Sequence, residues 1–313
     1  MKNQQRKNQK LLLGAVFIII TFAAACSRAG LLQNNGATKL QIVATFYPLY
    51  DITKRIAGDR ADVYSLVPSG VEPHDYEPTP NDILKLNMAD AFVTIGLEFS
   101  NVENKLTESG ENKILLIDAK KGIKLLNAQK FQGWGAQYEK NSGKDVHIWL
   151  SPKNMMAIAA NIRDNLKAID SKNADYYEEN TRKTIEELEN LDAEYITNLS
   201  NCKKNMILTN HISFAYLGAD YGFSQIGIFG LKPEAEPNPQ DIVAIKNEAT
   251  RNKINYIFTE ELIDTRVART IAKEIGAKTL VLNPIEGIKD SSEDYFSLMR
   301  NNLANLKLAL ECS

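Results

Sequence analysis

Three histidines are all the chain has, and each lies in a loop-like stretch that presents it. His74 stands in Glu72-Pro73-His74-Asp75-Tyr76-Glu77-Pro78-Thr79-Pro80, His147 in Asp145-Val146-His147-Ile148-Trp149-Leu150-Ser151-Pro152, and His211 ends the run Met206-Ile207-Leu208-Thr209-Asn210-His211. A neutral imidazole is the commonest metal-binding side chain. Spacings of 73 and 64 residues match no local zinc-finger pattern. Only a fold can bring the three together. A fourth donor stands in Asn283-Pro284-Ile285-Glu286. Three imidazoles and one carboxylate suit Zn2+, which takes N and O donors at about 2.0–2.2 Å, and leave a net charge of about +1. A second carboxylate would make the site neutral and harder, better suited to Mn2+. Taken singly, each residue has a plainer reading. His74 could be a surface loop histidine, His147 and His211 packed histidines bonded to backbone, and Glu286 a solvated loop acid.

What joins them is their place relative to strands. Leu40–Phe46 is short, apolar and β-branched, like a buried strand. A helix over Tyr47–Ala57 follows, stopped by Gly58, and then a strand over Ala61–Val67. Asn81–Met88 reads as a short helix with Asn81 as its cap. Strands over Ala91–Gly96 and Lys113–Ile117 continue the series, with a short helix between them. Residues 119–146 read as an exposed loop. Lys153–Ile169 is helical, and so is the long Ala174–Leu199, where Ile185, Leu188, Leu191, Tyr195 and Leu199 share one face. The alternation then resumes. Strands lie over Met206–Thr209, Phe223–Phe229, Ile254–Phe258 and Thr279–Leu282, and helices over Ile212–Tyr221, Gln240–Arg251, Thr265–Ile275 and Ser291–Leu310. Gly230–Pro239 and Asn283–Lys289 are loops. Alternating strands and helices indicate βαβ units and parallel sheets. Ligands of such sheets lie beyond the carboxyl ends of the strands. His74, His211 and Glu286 all follow strands, and His147 closes the long loop. The pattern therefore predicts one cleft between two α/β lobes, lined by His74, His147, His211 and Glu286.

The ends and the composition bound the setting. Lys2, Arg6, Lys7 and Lys10 precede an apolar run, Leu11–Phe22, and then Ala23-Ala24-Ala25-Cys26. This describes an export signal; the run falls short of the roughly 20 residues of a membrane span. Cys26 after small residues suggests lipidation, although Ala23 stands where a leucine is usual. Lipid on Cys26 would hold the chain at the outer face of the plasma membrane. Residues 1–25 thus read as a lipoprotein signal peptide, 26–38 as a tether, 39–172 as the first lobe, 173–200 as a linking helix and 201–313 as the second lobe. The chain has 37 basic and 39 acidic residues, and without the four basic residues of 1–25 the balance is −6. No basic patch stands out, which argues against nucleic acid as a partner. Cys202 and Cys312 can pair outside the cytoplasm or remain spare thiols.

Several motifs together resemble the solute-binding lipoproteins of bacterial ABC importers for zinc and manganese. They are Ile42-Val43-Ala44-Thr45-Phe46-Tyr47-Pro48-Leu49, the segments around His74 and His147, Thr209-Asn210-His211 with Phe214 and Tyr216, and Pro233-Glu234-Ala235-Glu236-Pro237-Asn238-Pro239. The likeness covers about residues 38–310. It implies two (β/α) lobes joined by one long rigid helix, with the metal between them. Family metal positions fall on His74, His147 and His211. The third is usually a carboxylate in manganese-type members, so His211 implies the zinc type, and the 283–287 loop looks like the one that supplies a glutamate. The resemblance implies capture of Zn2+ and its delivery to an ABC permease, by a monomer held to the bilayer by lipid, with no chemical step. Many zinc-type members carry a His-rich loop between the first two ligands; residues 119–146 have no histidine.

Three other functions remain open at this point. Manganese uptake lies within the same class. A secreted zinc hydrolase would use the histidines as ligands and Glu286 as a base, but no HExxH-type motif is present. A surface adhesin is the third, with no sequence feature that identifies a binding face.

Overall fold

Short apolar strands in two separate sheets set the frame. The computed structural model describes residues 39–96, 114–127, 144–230, 237–289 and 292–313. The first sheet holds β1 (Leu40–Ala44), β2 (Ala61–Ser65), β3 (Ala91–Thr94) and β4 (Leu115–Asp118) in the order β2-β1-β3-β4. The second holds β5 (Met206–Thr209), β6 (Ser224–Gly227), β7 (Tyr256–Thr259) and β8 (Lys278–Val281) in the order β6-β5-β7-β8. All pairs are parallel. The predicted α/β architecture of two parallel sheets is therefore present. Both sheets have the same strand order, so each reverses direction beside its first strand. Central β3 is buried along its whole length, as expected of a parallel strand covered on both faces.

The helices α1 (Tyr47–Ala57), α2 (Pro80–Met88), α3 (Pro152–Ile169), α4 (Ala174–Leu199), α5 (Ala215–Tyr221), α6 (Pro239–Arg251), α7 (Arg266–Ile275) and α8 (Tyr295–Ala309) complete the described residues. Four of them begin with a proline in the first turn, where its missing N–H costs nothing. The cap of α2 is Thr79 rather than Asn81. Its hydroxyl accepts the Asp82 N–H while Asp82 accepts the Thr79 N–H, a reciprocal box that outcompetes a residue already inside the helix. The helix expected from Ile212 starts only at Ala215, because Ile212 to Phe214 turn back on β6. The Ile212 N–H reaches the Gly230 carbonyl at 2.9 Å and the Phe214 N–H the Gln225 side-chain oxygen at 3.0 Å. The closing helix starts at Tyr295, set by the Asp294 cap.

Helix α4 is the shared spine. Tyr177, Thr181, Thr184, Leu188, Leu191, Tyr195 and Leu199 form its buried seam, and Ile185 lies half-buried beside it. At about 1.5 Å per residue it reaches roughly 39 Å. Tyr195 donates to the Met299 carbonyl at 2.7 Å. Arg55 of α1 pairs with Glu187 of α4 at 3.4 Å and with Asp294 ahead of α8; Arg300 of α8 pairs with Glu194 at 3.1 Å. Each buried Leu in the seam contributes about 1.5–3 kcal/mol. A partly exposed ion pair contributes at most about 1 kcal/mol. The seam therefore holds the helix and the pairs set its edges. One continuous apolar cluster, from Ile42 through Trp149 and Tyr195 to Leu310, touches both sheets.

Cys202 and Cys312 are joined by a disulfide that ties the end of the chain to the segment after α4. Among the described residues no helix is long and apolar enough to cross a membrane. The expected signal segment, Cys26, the short helix expected between β3 and β4, residues 128–143 ahead of His147 and residues 231–236 lie outside the described residues.

Candidate metal centre

His74, His147, His211 and Glu286 come together, with one donor atom of each within 4.8 Å of all the others. Glu286 Oε1 lies 3.3 Å from His74 Nε2, 3.3 Å from His147 Nε2 and 3.6 Å from His211 Nε2. The two latter nitrogens are 3.3 Å apart. A tetrahedron of donors at about 2.0–2.1 Å from a central ion has edges of about 3.3–3.4 Å. Three of these four edges match it, and the fourth, from Glu286 to His211, is slightly longer at 3.6 Å. The side chains of His147, His211 and Glu286 are fully buried, and that of His74 is 3% exposed.

Each donor is placed by its local chain. Glu72 caps the short turn Pro73–Asp75 and accepts the His74 N–H at 3.2 Å. His147 begins the turn Ile148–Leu150 that leads into α3. Trp149 of that turn donates to the Pro284 carbonyl at 2.7 Å, tying the His147 segment to the Glu286 loop. His211 follows β5 by two residues. Glu286 stands on a constrained loop. Ile285 has φ of 58°, a left-handed conformation that β-branched residues rarely adopt. The loop is held there by buried amides. Asn302 accepts the Asn283 N–H and donates to its carbonyl, both at 2.7 Å, and Asn283 accepts the Ile285 N–H at 2.7 Å. Strain that persists in a buried, over-determined loop points to function, and here it turns Glu286 toward the imidazoles.

Two carboxylates stand behind the histidines. Asp145 Oδ1 is 2.9 Å from His147 Nδ1 and accepts the His147 N–H at 2.8 Å. Both Glu260 oxygens are 2.8 Å from His211 Nδ1. Such partners fix the ring and leave the far nitrogen to a metal. Burial alone pushes the His147 and His211 imidazoles down. Asp145 and Glu286 reverse this for His147, and Glu260 and Glu286 do so for His211, which ends well above its usual range. Burial pushes the Glu286 carboxyl up, but His74, His147 and His211 hold it well below the usual carboxylate range. Glu72 is pushed up to about 8 by burial and then by the charge of Glu286. Neither Glu286 oxygen has a hydrogen-bond partner of good geometry. A buried carboxylate in that position is a group that awaits a cation.

The chain was compared with known proteins. The family model for the periplasmic zinc-uptake complex component A, ZnuA, matches residues 42–309. The chain belongs to this family. Within it, the high-affinity zinc uptake system protein ZnuA of Bacillus subtilis is 35% identical, over 95% of this chain and 96% of that protein. The zinc-binding lipoprotein AdcA of Streptococcus pneumoniae is 36% identical, but the chain spans only 60% of its length. The crystal structure of the Zn(II)-bound ZnuA-like domain of that AdcA superposes with a TM-score of 0.75 at 36% identity, covering 87% of this chain and 99% of that one. The laminin-binding protein Lmb of Streptococcus agalactiae, described as bifunctional with adhesin and metal transporting activity, superposes with a TM-score of 0.78 at 29% identity, covering 87% and 99%. The two-lobe ZnuA architecture is thus shared with solved members.

Asp145 and Glu260 were not among the sequence candidates. Asp145 carried a signal, an acid two residues before a histidine. Glu260 carried a weaker one, its place just after a strand, which mattered only once β7 was known to adjoin β5. The paired cysteines contribute no donor to this cluster.

Proposed function

We propose that this chain captures Zn2+ outside the cytoplasm through His74, His147, His211 and Glu286 and delivers it to a membrane ABC permease. The observation that carries this reading is the buried set of three imidazole nitrogens and one carboxylate oxygen, all within 4.8 Å of one another and with three of their separations at 3.3 Å. Zinc has no geometric preference of its own and accepts what such a site offers. Three nitrogens against one oxygen favour it over Mn2+, which remains the alternative cargo. The names of the relatives support the same reading for zinc.

The chain does this without a chemical step. Catalytic zinc sites keep one position open for water, whereas Glu286 Oε1 stands at the fourth corner. Cys26 carries the lipid, residues 1–25 are removed, and 26–38 are the tether; the chain works as a monomer at the outer face of the membrane. The lobes run over 39–172 and 201–313, with 173–200 as the helix between them. X-ray absorption of the zinc-loaded protein tests the site. Three nitrogens and one carboxylate oxygen at about 2.0–2.2 Å are expected. A water in place of Glu286 would revive the hydrolase reading.

A further inference from the structure

We infer that Glu260 is a positioning residue that fixes His211 as a nitrogen donor and thereby sets the preference of the site for zinc over manganese. This rests on the zinc-capture reading above. β5 and β7 are neighbours, with Thr209 paired to Phe258. They flank the point where the strand order of the second sheet reverses. Two steps on, the chain places His211 beside Glu260. The contact is a grip on both backbone and ring. Glu260 Oε1 accepts the His211 N–H at 3.1 Å, and both oxygens stand 2.8 Å from Nδ1. The Glu260 side chain is only 2% exposed, so it has no route to water that would release the ring.

Two consequences follow from that grip. A carboxylate at Nδ1 takes the ring proton there and leaves the Nε2 lone pair for the metal. Nε2 is the atom that faces His147 and Glu286, at 3.3 and 3.6 Å. The grip also opposes oxygen at this corner. Mn2+ favours carboxylate over imidazole donors, so the simplest change toward manganese is a carboxylate at position 211. That group would meet the Glu260 carboxylate in a buried place. Two carboxylates held in contact in a buried place repel each other. Glu260 thus supports nitrogen at this corner and penalises oxygen.

The test uses the full chain purified from membranes and stripped of metal. Zinc and manganese dissociation constants are measured against a chelator for the wild type, Glu260→Gln, Glu260→Ala, His211→Glu and the double variant His211→Glu/Glu260→Gln. Glu260→Ala is expected to weaken zinc about 10–100-fold, the usual cost of losing such a partner. Glu260→Gln falls between, since its amide oxygen still accepts from Nδ1. His211→Glu alone binds manganese poorly, and the double variant binds it at least about tenfold more tightly, because the second carboxylate is gone. A merely structural Glu260 would lower the melting temperature of the metal-free chain and leave the double variant no better than His211→Glu. Wild-type zinc affinity in both Glu260 variants overturns the inference while leaving zinc capture intact. A wild type that holds no zinc overturns both. If the His211→Glu chains do not fold, the zinc-to-manganese ratio of the two Glu260 variants decides: a ratio narrowed against wild type supports the inference, an unchanged one sinks it.

Discussion

The two sheets share a strand order yet supply the site in different ways. The second sheet sends His211 from the residue after next beyond β5 and Glu286 from a strained, amide-locked loop five residues beyond β8. The first sheet supplies His74 from a loop nine residues beyond β2, and His147 from a turn far along the chain from β4. Donors near strand ends inherit the rigidity of the sheet, while donors on loops depend on local caps. Exposure marks out the His74 loop alone, since His74 retains a little accessible side chain while His147 and His211 retain none. His211 and Glu286 of the second lobe and the buried His147 therefore set three corners, and His74 is the one donor whose loop leaves its side chain slightly accessible.

That contrast can be broken most sharply by removing donors. His211→Ala should weaken zinc by more than the roughly 100-fold upper cost of losing an outer partner, and His74→Ala should cost less, read by chelator competition. Equal losses would remove the distinction between lobes. Asp145→Asn should cost about 10–100-fold by loosening His147, again with the metal-free fold intact by circular dichroism. Acidification comes next. In the metal-free site the His147 and His211 imidazoles are held above their usual value, so protons compete with zinc from above about pH 6.5 downward. Affinity should fall steadily as pH is lowered through that value. A flat profile from pH 7.5 to 5 would count against imidazole ligation.

Much of this was legible in the sequence, for reasons that differ by element. Tyr47–Ala57, Ala174–Leu199 and Met206–Thr209 have the same bounds in sequence and structure, because Pro48 and Gly58 bracket the first and apolar patterning marks the other two without help from the rest of the fold. The start of the helix after His211 was not legible, since Ile212 to Phe214 are held by Gly230 and Gln225, far along the chain. The same applies to Glu260, whose role depends on a strand pairing that no local pattern records. The convergence of the histidines was legible because strand ends in parallel sheets face one side.

Smaller effects sharpen the picture away from the donors. Breaking the disulfide with Cys202→Ser should lower stability by up to about 4–5 kcal/mol, the scale for a closed loop near 100 residues, and leave zinc affinity unchanged; a melt and a titration separate the two. Gly287→Ala should change least. A Cβ there would meet a Leu262 methyl at 3.1 Å, which must give slightly, and the Val71 carbonyl at an ordinary contact distance of 3.5 Å. A change in zinc release of roughly twofold, with affinity within about 1 kcal/mol, is expected of such a contact. A larger loss would show that the Leu262 side chain cannot move aside and that the strain passes into the Glu286 loop.

The most direct test is a competition titration of the metal-stripped protein with Zn2+ and Mn2+ against a chelator of known affinity. One equivalent of zinc held far more tightly than manganese, and lost in His211→Ala, is the predicted result. Preference for manganese, or no tight site at all, would contradict capture of zinc by His74, His147, His211 and Glu286.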